Sequence, residues 1–187
     1  PFNSFNDLRG NADFLISIGG DGTLLKASTL VKNSNIPIIG INTGRLGFIS
    51  SISLDQIDDA INSLIKENYK INNRSLLKLE SDEGLFKQMN FALNEVAITK
   101  KDTSSMIKIE AFLNDEFLNT YWADGLIIST PTGSTGYSLS CGGPIIMPGT
   151  GNFIITPITQ HNLNVRPIVV EDTSVIRLKV EDRDQLA

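Results

Sequence analysis

The first third of the chain alternates between apolar runs and helix-spaced apolar positions. Asp13-Phe-Leu-Ile-Ser-Ile18 is short and nearly continuously apolar, the pattern of a strand buried on both faces. The turn Gly19-Gly-Asp-Gly22 follows, and Thr23 to Val31 carries a helical pattern. Ile36-Pro-Ile-Ile-Gly-Ile41 predicts a second strand, which leads into Asn42-Thr-Gly-Arg-Leu-Gly47. Ser53-Leu-Asp-Gln56 has the spacing of a capping box, a hydroxyl at the N-cap and an amide three residues on. Behind it, Ile57, Ile61, Leu64 and Ile65 fall on one helical face. Strand, helix, strand, helix in that order predicts a parallel sheet with crossover helices.

From about Asn72 the periodicity shifts towards two. Leu77 and Leu79 alternate with Lys78 and Glu80, and Ser81-Asp-Glu-Gly84 is a turn signal. Phe91 to Ile98 predicts one strand. Ile107, Ile109, Ala111 and Leu113 alternate ahead of Asn114-Asp115, with Phe117 to Trp122 as the returning arm of a hairpin. Further strands are predicted at Gly125 to Ser129, Phe153 to Thr156 and Val175 to Val180. The fold expected is α/β plus all-β, with the change of texture near residues 68–74. The domains are accordingly an α/β part over 1–70 and a β-rich part over 71–187.

Composition narrows the function classes. The 187 residues are 41% hydrophobic and 20% charged, enough apolar material for one sizeable core or two small ones. No apolar run approaches the roughly 18 residues of a membrane span. One cysteine, Cys141, excludes a disulfide framework and fits a reducing compartment. A net charge of -5 argues against nucleic acid as partner, yet does not forbid a local anion site built from backbone amides. The chain begins at Pro1 with neither methionine nor a signal-peptide pattern, so a fragment or a processed chain is expected.

Four segments carry candidate chemistry. In Ile18-Gly-Gly-Asp-Gly-Thr23, glycines allow close approach of a ligand, and a helix N-terminus offers amides suited to phosphate. The turn lacks both the Gly-Lys-Ser/Thr ending of a P-loop and the full dinucleotide-binding glycine spacing. At its tip stands Asp21, placed to bind a metal or accept a proton, or simply to cap the helix. Asn94-Glu95 interrupts an apolar stretch; it is either a solvated strand end or a pair for ribose hydroxyls, a base edge or a cation.

The third segment runs from Asp124 to Pro144 and is crowded with Gly, Ser and Thr around Pro131 and Tyr137. Hydroxyls and amides there suit a phosphorylated or polyhydroxylated ligand, and Tyr137 offers an aromatic face to a base. Apolar flanks, Leu126-Ile-Ile128 and Pro144-Ile-Ile146, hold this loop near the core, which favours a binding loop over a free one. The fourth, Thr156 to Pro167, holds the only histidine, His161, and Arg166, a phosphate clamp or a surface ion pair. One His and one Cys cannot supply a zinc site. Cys141 is better read as filling a small buried space than as a nucleophile paired with His161.

Taken together these segments resemble the bacterial NAD kinases. Gly19-Gly-Asp-Gly-Thr23, Asn42-Thr-Gly-Arg-Leu-Gly-Phe48, Asn94-Glu95, Asp124-Gly125, Thr130-Pro-Thr-Gly-Ser-Thr-Gly-Tyr-Ser138 and His161-Asn-Leu-Asn-Val-Arg-Pro167 follow the family's order and spacing over residues 13 to 180. The first of them alone is shared with diacylglycerol, sphingosine and 6-phosphofructo-kinases. The resemblance implies a truncated Rossmann-like N-terminal domain and a β-sandwich-like C-terminal domain with the active site between them. It implies phosphorylation of the adenosine 2′-hydroxyl of NAD by ATP or polyphosphate, with Mg2+ or another divalent cation. Asp21 matches the proton acceptor, and Asn94 and Glu95 match the substrate-binding pair. The nucleotide-binding set that the resemblance implies adds Gly19, Gly20, Gly22, Thr23, Phe48, Asp124, Thr132, Thr135, Gly136, Tyr137, Ser138, Ser140 and His161. A cytoplasmic homodimer or homotetramer, with no nucleic-acid or membrane partner, is expected.

Gly136 and Cys141 stand where alanine is frequent in the family, and Gln160 replaces a proline before the matched histidine. Members usually have an earlier strand and helix and a segment beyond Ala187, so the chain alone is expected to bind NAD poorly or to be inactive. Two alternatives are a lipid or sugar kinase of the same superfamily and a non-catalytic dinucleotide sensor. The first leaves Asn94-Glu95 and the Tyr137 segment unexplained, and the second has little need of Asp21.

Overall fold

The computed structural model describes residues 8, 10–32, 34–45, 47–82, 84, 86, 90–101, 105–159, 161 and 164–181. The chain divides after Asn72 into two compact units.

In the first unit, β1 (Leu15–Ile18) and β2 (Ile38–Asn42) run parallel with Leu15 opposite Ile38. The short β3 (Ile52–Ser53) joins β2 in parallel, giving the order β1-β2-β3. Helix α1 (Asp21–Val31) starts two residues before the sequence pattern did, because Gly20 already accepts the N–H groups of Thr23 and Leu24. Leu24, Ala27 and Val31 form its buried stripe. A large apolar side chain such as Leu24 contributes about 1.5–3 kcal/mol by such burial. Gly40 of β2 leaves space for Leu24, whose Cδ1 would stand 2.6 Å from a Cβ added there.

The expected capping box opens a short 3-10 turn, Leu54–Gln56, ahead of α2 (Ile57–Ile65). The Ser53 N–H donates to Gln56 Oε1 at 3.2 Å. Ile57, Ile61 and Leu64 are half-buried, but Ile65 is 76% exposed, which corrects the apolar face expected of this helix. Eight residues on, Ile65 is rotated by about 80° from Ile57 and leaves the stripe.

The second unit is β-rich. Two antiparallel sheets, β11-β10-β9-β6 and β12-β7-β8, accompany a two-stranded pair of β4 (Leu77–Lys78) and β5 (Phe91–Ala92). The hairpin of β7 (Ile107–Leu113) and β8 (Glu116–Ala123) turns at Asn114 and Asp115, both at positive φ, as a two-residue primed turn requires. Ile107, Ile109 and Ala111 of β7 share a buried cluster with Tyr121, with Leu126 and Ile128 of β9 (Gly125–Ser129), and with Phe153 and Ile155 of β10 (Asn152–Ile158). Alternate residues of both sheets therefore build one core, the arrangement expected of a sandwich.

Three differences from the sequence reading have physical causes. Phe91 to Ile98 is not one strand: it breaks at Leu93-Asn94, between β5 and β6 (Glu95–Thr99). The strand expected to end at Thr156 continues through Pro157. Pairing of β10 with β11 (Ile168–Glu171) stops at Ile155 opposite Ile168, so the missing N–H of Pro157 costs no ladder bond on that side. Strand β11 itself had no expectation, because its apolar run is three residues long and follows Arg166-Pro167. Strand β12 (Ile176–Glu181) completes the second sheet alongside β7.

Candidate functional site

The glycine-rich turn of the first unit is shaped around Thr23 and Asp21. Gly19 adopts φ +148°, a region disfavoured for other residues, and a Cβ there would run into the Thr23 side chain. Gly20 and Gly22 have open space where a side chain would be, and no side chain caps α1. Asp21 does not point freely outward. Its Oδ2 accepts the Phe48 N–H at 2.8 Å, and its Oδ1 accepts those of Ile49 at 3.2 Å and Ser50 at 2.9 Å. Gly47 makes this possible, since a Cβ at that position would collide with the Asp21 carboxylate. Ser50 Oγ donates to the Gly19 carbonyl at 3.3 Å, tying the two loops together a second time. The Phe48 side chain is 72% exposed, although its backbone is fixed.

In the second unit the break at Leu93-Asn94 lies against the loop after β9. Gly133 begins a 3-10 turn (Gly133–Thr135), and a Cβ on it would strike the Asn94 carbonyl. A Cβ on Gly136 would lie 3.1 Å from Glu95 Oε2 and 3.7 Å from Asn94 Nδ2. Both side chains of the pair thus border the same glycine-lined space. Among the described residues, Asn94 Oδ1 and Glu95 Oε2 are buried without a hydrogen-bond partner. An unsatisfied buried polar atom is costly and calls for an explanation, a ligand among them. Burial pushes the Glu95 carboxyl up from its ordinary value.

The rest of the loop divides into exposed and buried positions. Tyr137, at the start of α3 (Tyr137–Ser140), is 42% exposed, and Ser140 is exposed. Thr132 and Ser138 are buried; the Ser138 hydroxyl pairs with Thr156 Oγ1 at 2.8 Å. Thr135 Oγ1 reaches the Thr132 carbonyl at 3.4 Å. Asp124 forms an ion pair with Lys100 at 2.7 Å. His161 is exposed, and its backbone N–H donates to the Trp122 carbonyl at 2.9 Å. Cys141 is half-buried, and burial pushes its thiol up, away from the thiolate a nucleophile needs. Gln160, Asn162 and Leu163 of the fourth segment, and Leu46 of the second loop, lie outside the described residues.

The family description "ATP-NAD kinase N-terminal domain" matches residues 5–69, and "ATP-NAD kinase C-terminal domain" matches residues 93–187. The chain belongs to the NAD kinase family. Curated relatives named NAD kinase include one from Cytophaga hutchinsonii, 55% identical over 184 residues, covering 98% of this chain and 63% of its own length. One from Flavobacterium psychrophilum is 53% identical over 186 residues, with coverages of 98% and 63%. The chain therefore spans less than two thirds of these NAD kinases. Among solved structures, yeast NADH kinase complexed with NADH is similar with a TM-score of 0.85 and 29% identity, over 95% of this chain and 53% of that one. An Archaeoglobus fulgidus NAD kinase in complex with ATP is similar with a TM-score of 0.80 and 30% identity, over 91% and 66%.

Within this NAD kinase family member, the structure brings together Asn94, Glu95 and Gly136 in the second unit, and Gly19, Asp21, Thr23 and the Phe48 backbone in the first. The site residues expected from the sequence left out Gly47, Gly133 and Thr130, although all three stand within the quoted motifs. Their parts in the two loops rest on backbone approach and buried bonds, which motif spacing does not show.

Proposed function

We propose that the protein to which this chain belongs phosphorylates the adenosine 2′-hydroxyl of NAD to give NADP, with ATP or polyphosphate as donor. The observation that carries this reading is the buried, unpartnered pair of acceptors, Asn94 Oδ1 and Glu95 Oε2, bordering Gly136 in a chain of this family. The relatives named NAD kinase and the neighbours solved with NADH and with ATP support it. No specific observation favours a lipid or sugar kinase or a dinucleotide sensor.

In this proposal Asn94 and Glu95 take ribose and amide groups of the dinucleotide, with Tyr137 as an aromatic face and Thr132, Thr135, Gly136, Ser138, Ser140, Asp124, Phe48 and His161 contributing to the nucleotide site. Gly19, Gly20, Gly22 and Thr23 shape the loop towards phosphate. Asp21 accepts the proton of the 2′-hydroxyl. A carboxylate has about four acceptor sites. The amides of Phe48, Ile49 and Ser50 take three of them, which orients the group and leaves one for the hydroxyl. Phosphoryl transfer depends chiefly on such positioning, with proton transfer to the carboxylate completing it.

Among the described residues no three His, Cys, Asp or Glu side chains are grouped so as to hold a metal ion. The divalent cation of the proposal therefore has no all-protein cage among them. Mg2+ in such reactions rests largely on substrate phosphates and water, and it would arrive with the donor. Among the described residues no helix is long and apolar enough to cross a membrane. A cytoplasmic location and a homodimer or homotetramer belong to the same proposal.

The test is to incubate the full-length protein with NAD, ATP and magnesium and to measure NADP with an NADP-specific dehydrogenase. NADP formation is expected; its absence from demonstrably folded protein overturns the proposal.

A further inference from the structure

The strand run breaks at Leu93-Asn94, immediately before Glu95 pairs with Ser129 in β6 and β9, and one buried residue bonds to both residues of the break. Thr130 Oγ1 donates to the Leu93 carbonyl at 2.6 Å, and the Thr130 N–H donates to the Asn94 carbonyl at 2.9 Å. The same Oγ1 accepts the Gly133 N–H at 3.2 Å. One hydroxyl is thus shared between the break and the turn that carries Gly133 and, three residues on, Gly136. Thr130 is 0% exposed. It offers no atom to a ligand directly.

A threonine suits this place for a specific reason. The Asn94 carbonyl takes the Thr130 N–H in the register of the β6–β9 ladder, one step beyond Glu95 opposite Ser129, and any residue at 130 would supply that bond. The Leu93 carbonyl is bonded by the Thr130 hydroxyl, and only a hydroxyl can donate there while accepting a loop amide. Gly133, which has no Cβ, lets the two backbones approach this closely.

We propose that Thr130 is a positioning residue, which aims the Asn94–Glu95 pair at the ligand by clamping the Leu93-Asn94 break to the Gly133 turn. This rests on the reading of the pair as a dinucleotide site. Valine at 130 would keep the shape and lose both side-chain bonds, whereas serine would keep the hydroxyl.

The experiment measures the Kd for NAD by calorimetry on the full-length protein, with thermal unfolding recorded for every variant. Thr130→Val is expected to weaken NAD binding by about tenfold, and Thr130→Ser by less than about threefold. In an Asn94→Ala/Glu95→Ala background, Thr130→Val is expected to cost less than about threefold, because the side chains it aims are gone. An unchanged Kd in Thr130→Val overturns the inference. So does a full loss that persists in the Asn94→Ala/Glu95→Ala background, which would mark a purely structural role. Should Thr130→Val fail to fold, Thr130→Ser decides: binding within threefold of the parent supports the inference, and a larger loss overturns it. No NAD binding by the unmodified protein would instead overturn the dinucleotide reading, and this inference with it.

Discussion

Asp21 in the first unit and Glu95 in the second are both partly buried carboxylates beside glycine-rich loops, and the chain treats them in opposite ways. Three backbone N–H groups converge on the oxygens of Asp21, while Glu95 Oε2 is buried with no partner and its neighbour Asn94 shares that condition. The first carboxylate is organised by the protein itself, as a group that must hold one geometry through a reaction should be. In the proposed reading, the second is left for a ligand's donors to satisfy. Buried groups left unsatisfied in this way destabilise the free protein and strengthen binding.

The largest expected effect lies at Asp21. Asp21→Asn turns its amide nitrogen or its single oxygen towards amides that can only donate, and it removes the proton acceptor. Turnover of the full-length protein should fall by about 10²- to 10⁴-fold. Because the loop of Phe48 is held through Asp21, NAD affinity and thermal stability should fall as well, which a calorimetric titration and an unfolding curve would read. Wild-type turnover in this variant would remove Asp21 from the chemistry. A loss of turnover with unaltered stability would show that the three amide bonds contribute little.

A pair of glycine substitutions sharpens the contrast. The Cβ of Gly133→Ala would meet the Asn94 backbone, which cannot yield, so destabilisation of about 1–3 kcal/mol is expected from chemical denaturation. In Gly47→Ala the obstacle is the Asp21 carboxylate, which can move aside only by giving up its bonds from the Phe48, Ile49 and Ser50 amides. A loss of stability is expected there too, accompanied by a clear loss of turnover. Parental turnover in Gly47→Ala would contradict the geometry of that loop.

The smallest effect is one of pH. Burial raises the Glu95 carboxyl above its unfolded value of 4.5, so the folded state holds its proton more tightly. That contribution is present below the unfolded value and is lost as pH rises through the folded one. Glu95→Gln should therefore be more stable than the parent near neutral pH, with the advantage shrinking as acid protonates Glu95. Denaturation at several pH values checks this; a constant difference would contradict it.

What was legible in the sequence followed periodicity and local chemistry. Alternation from Ile107 to Trp122, with Asn114-Asp115 between its arms, specifies the β7–β8 hairpin almost unaided, because both turn residues tolerate positive φ. The helical pattern from Thr23 to Val31 was equally plain. The break at Leu93-Asn94 was signalled only by the polar pair Asn94-Glu95, and its bonding partner Thr130 lies far along the chain. Likewise nothing near Asp21 announces that its ligands are the amides at 48–50; backbone donors have no sequence signature. Motif spacing exposed the residues of the candidate site, while the groups that orient them came only with the fold.

The contrast between the two carboxylates is tested most directly by the Kd for NAD of the full-length protein and of its Asn94→Ala/Glu95→Gln double variant, with thermal unfolding of both. Affinity should fall at least about tenfold while the unfolding temperature of the free protein holds or rises, because the unpartnered amide oxygen of Asn94 and the charge of the partly buried Glu95 are removed. Unchanged affinity, or a loss of affinity explained by a fall in stability, would contradict the assignment of this pair to the ligand.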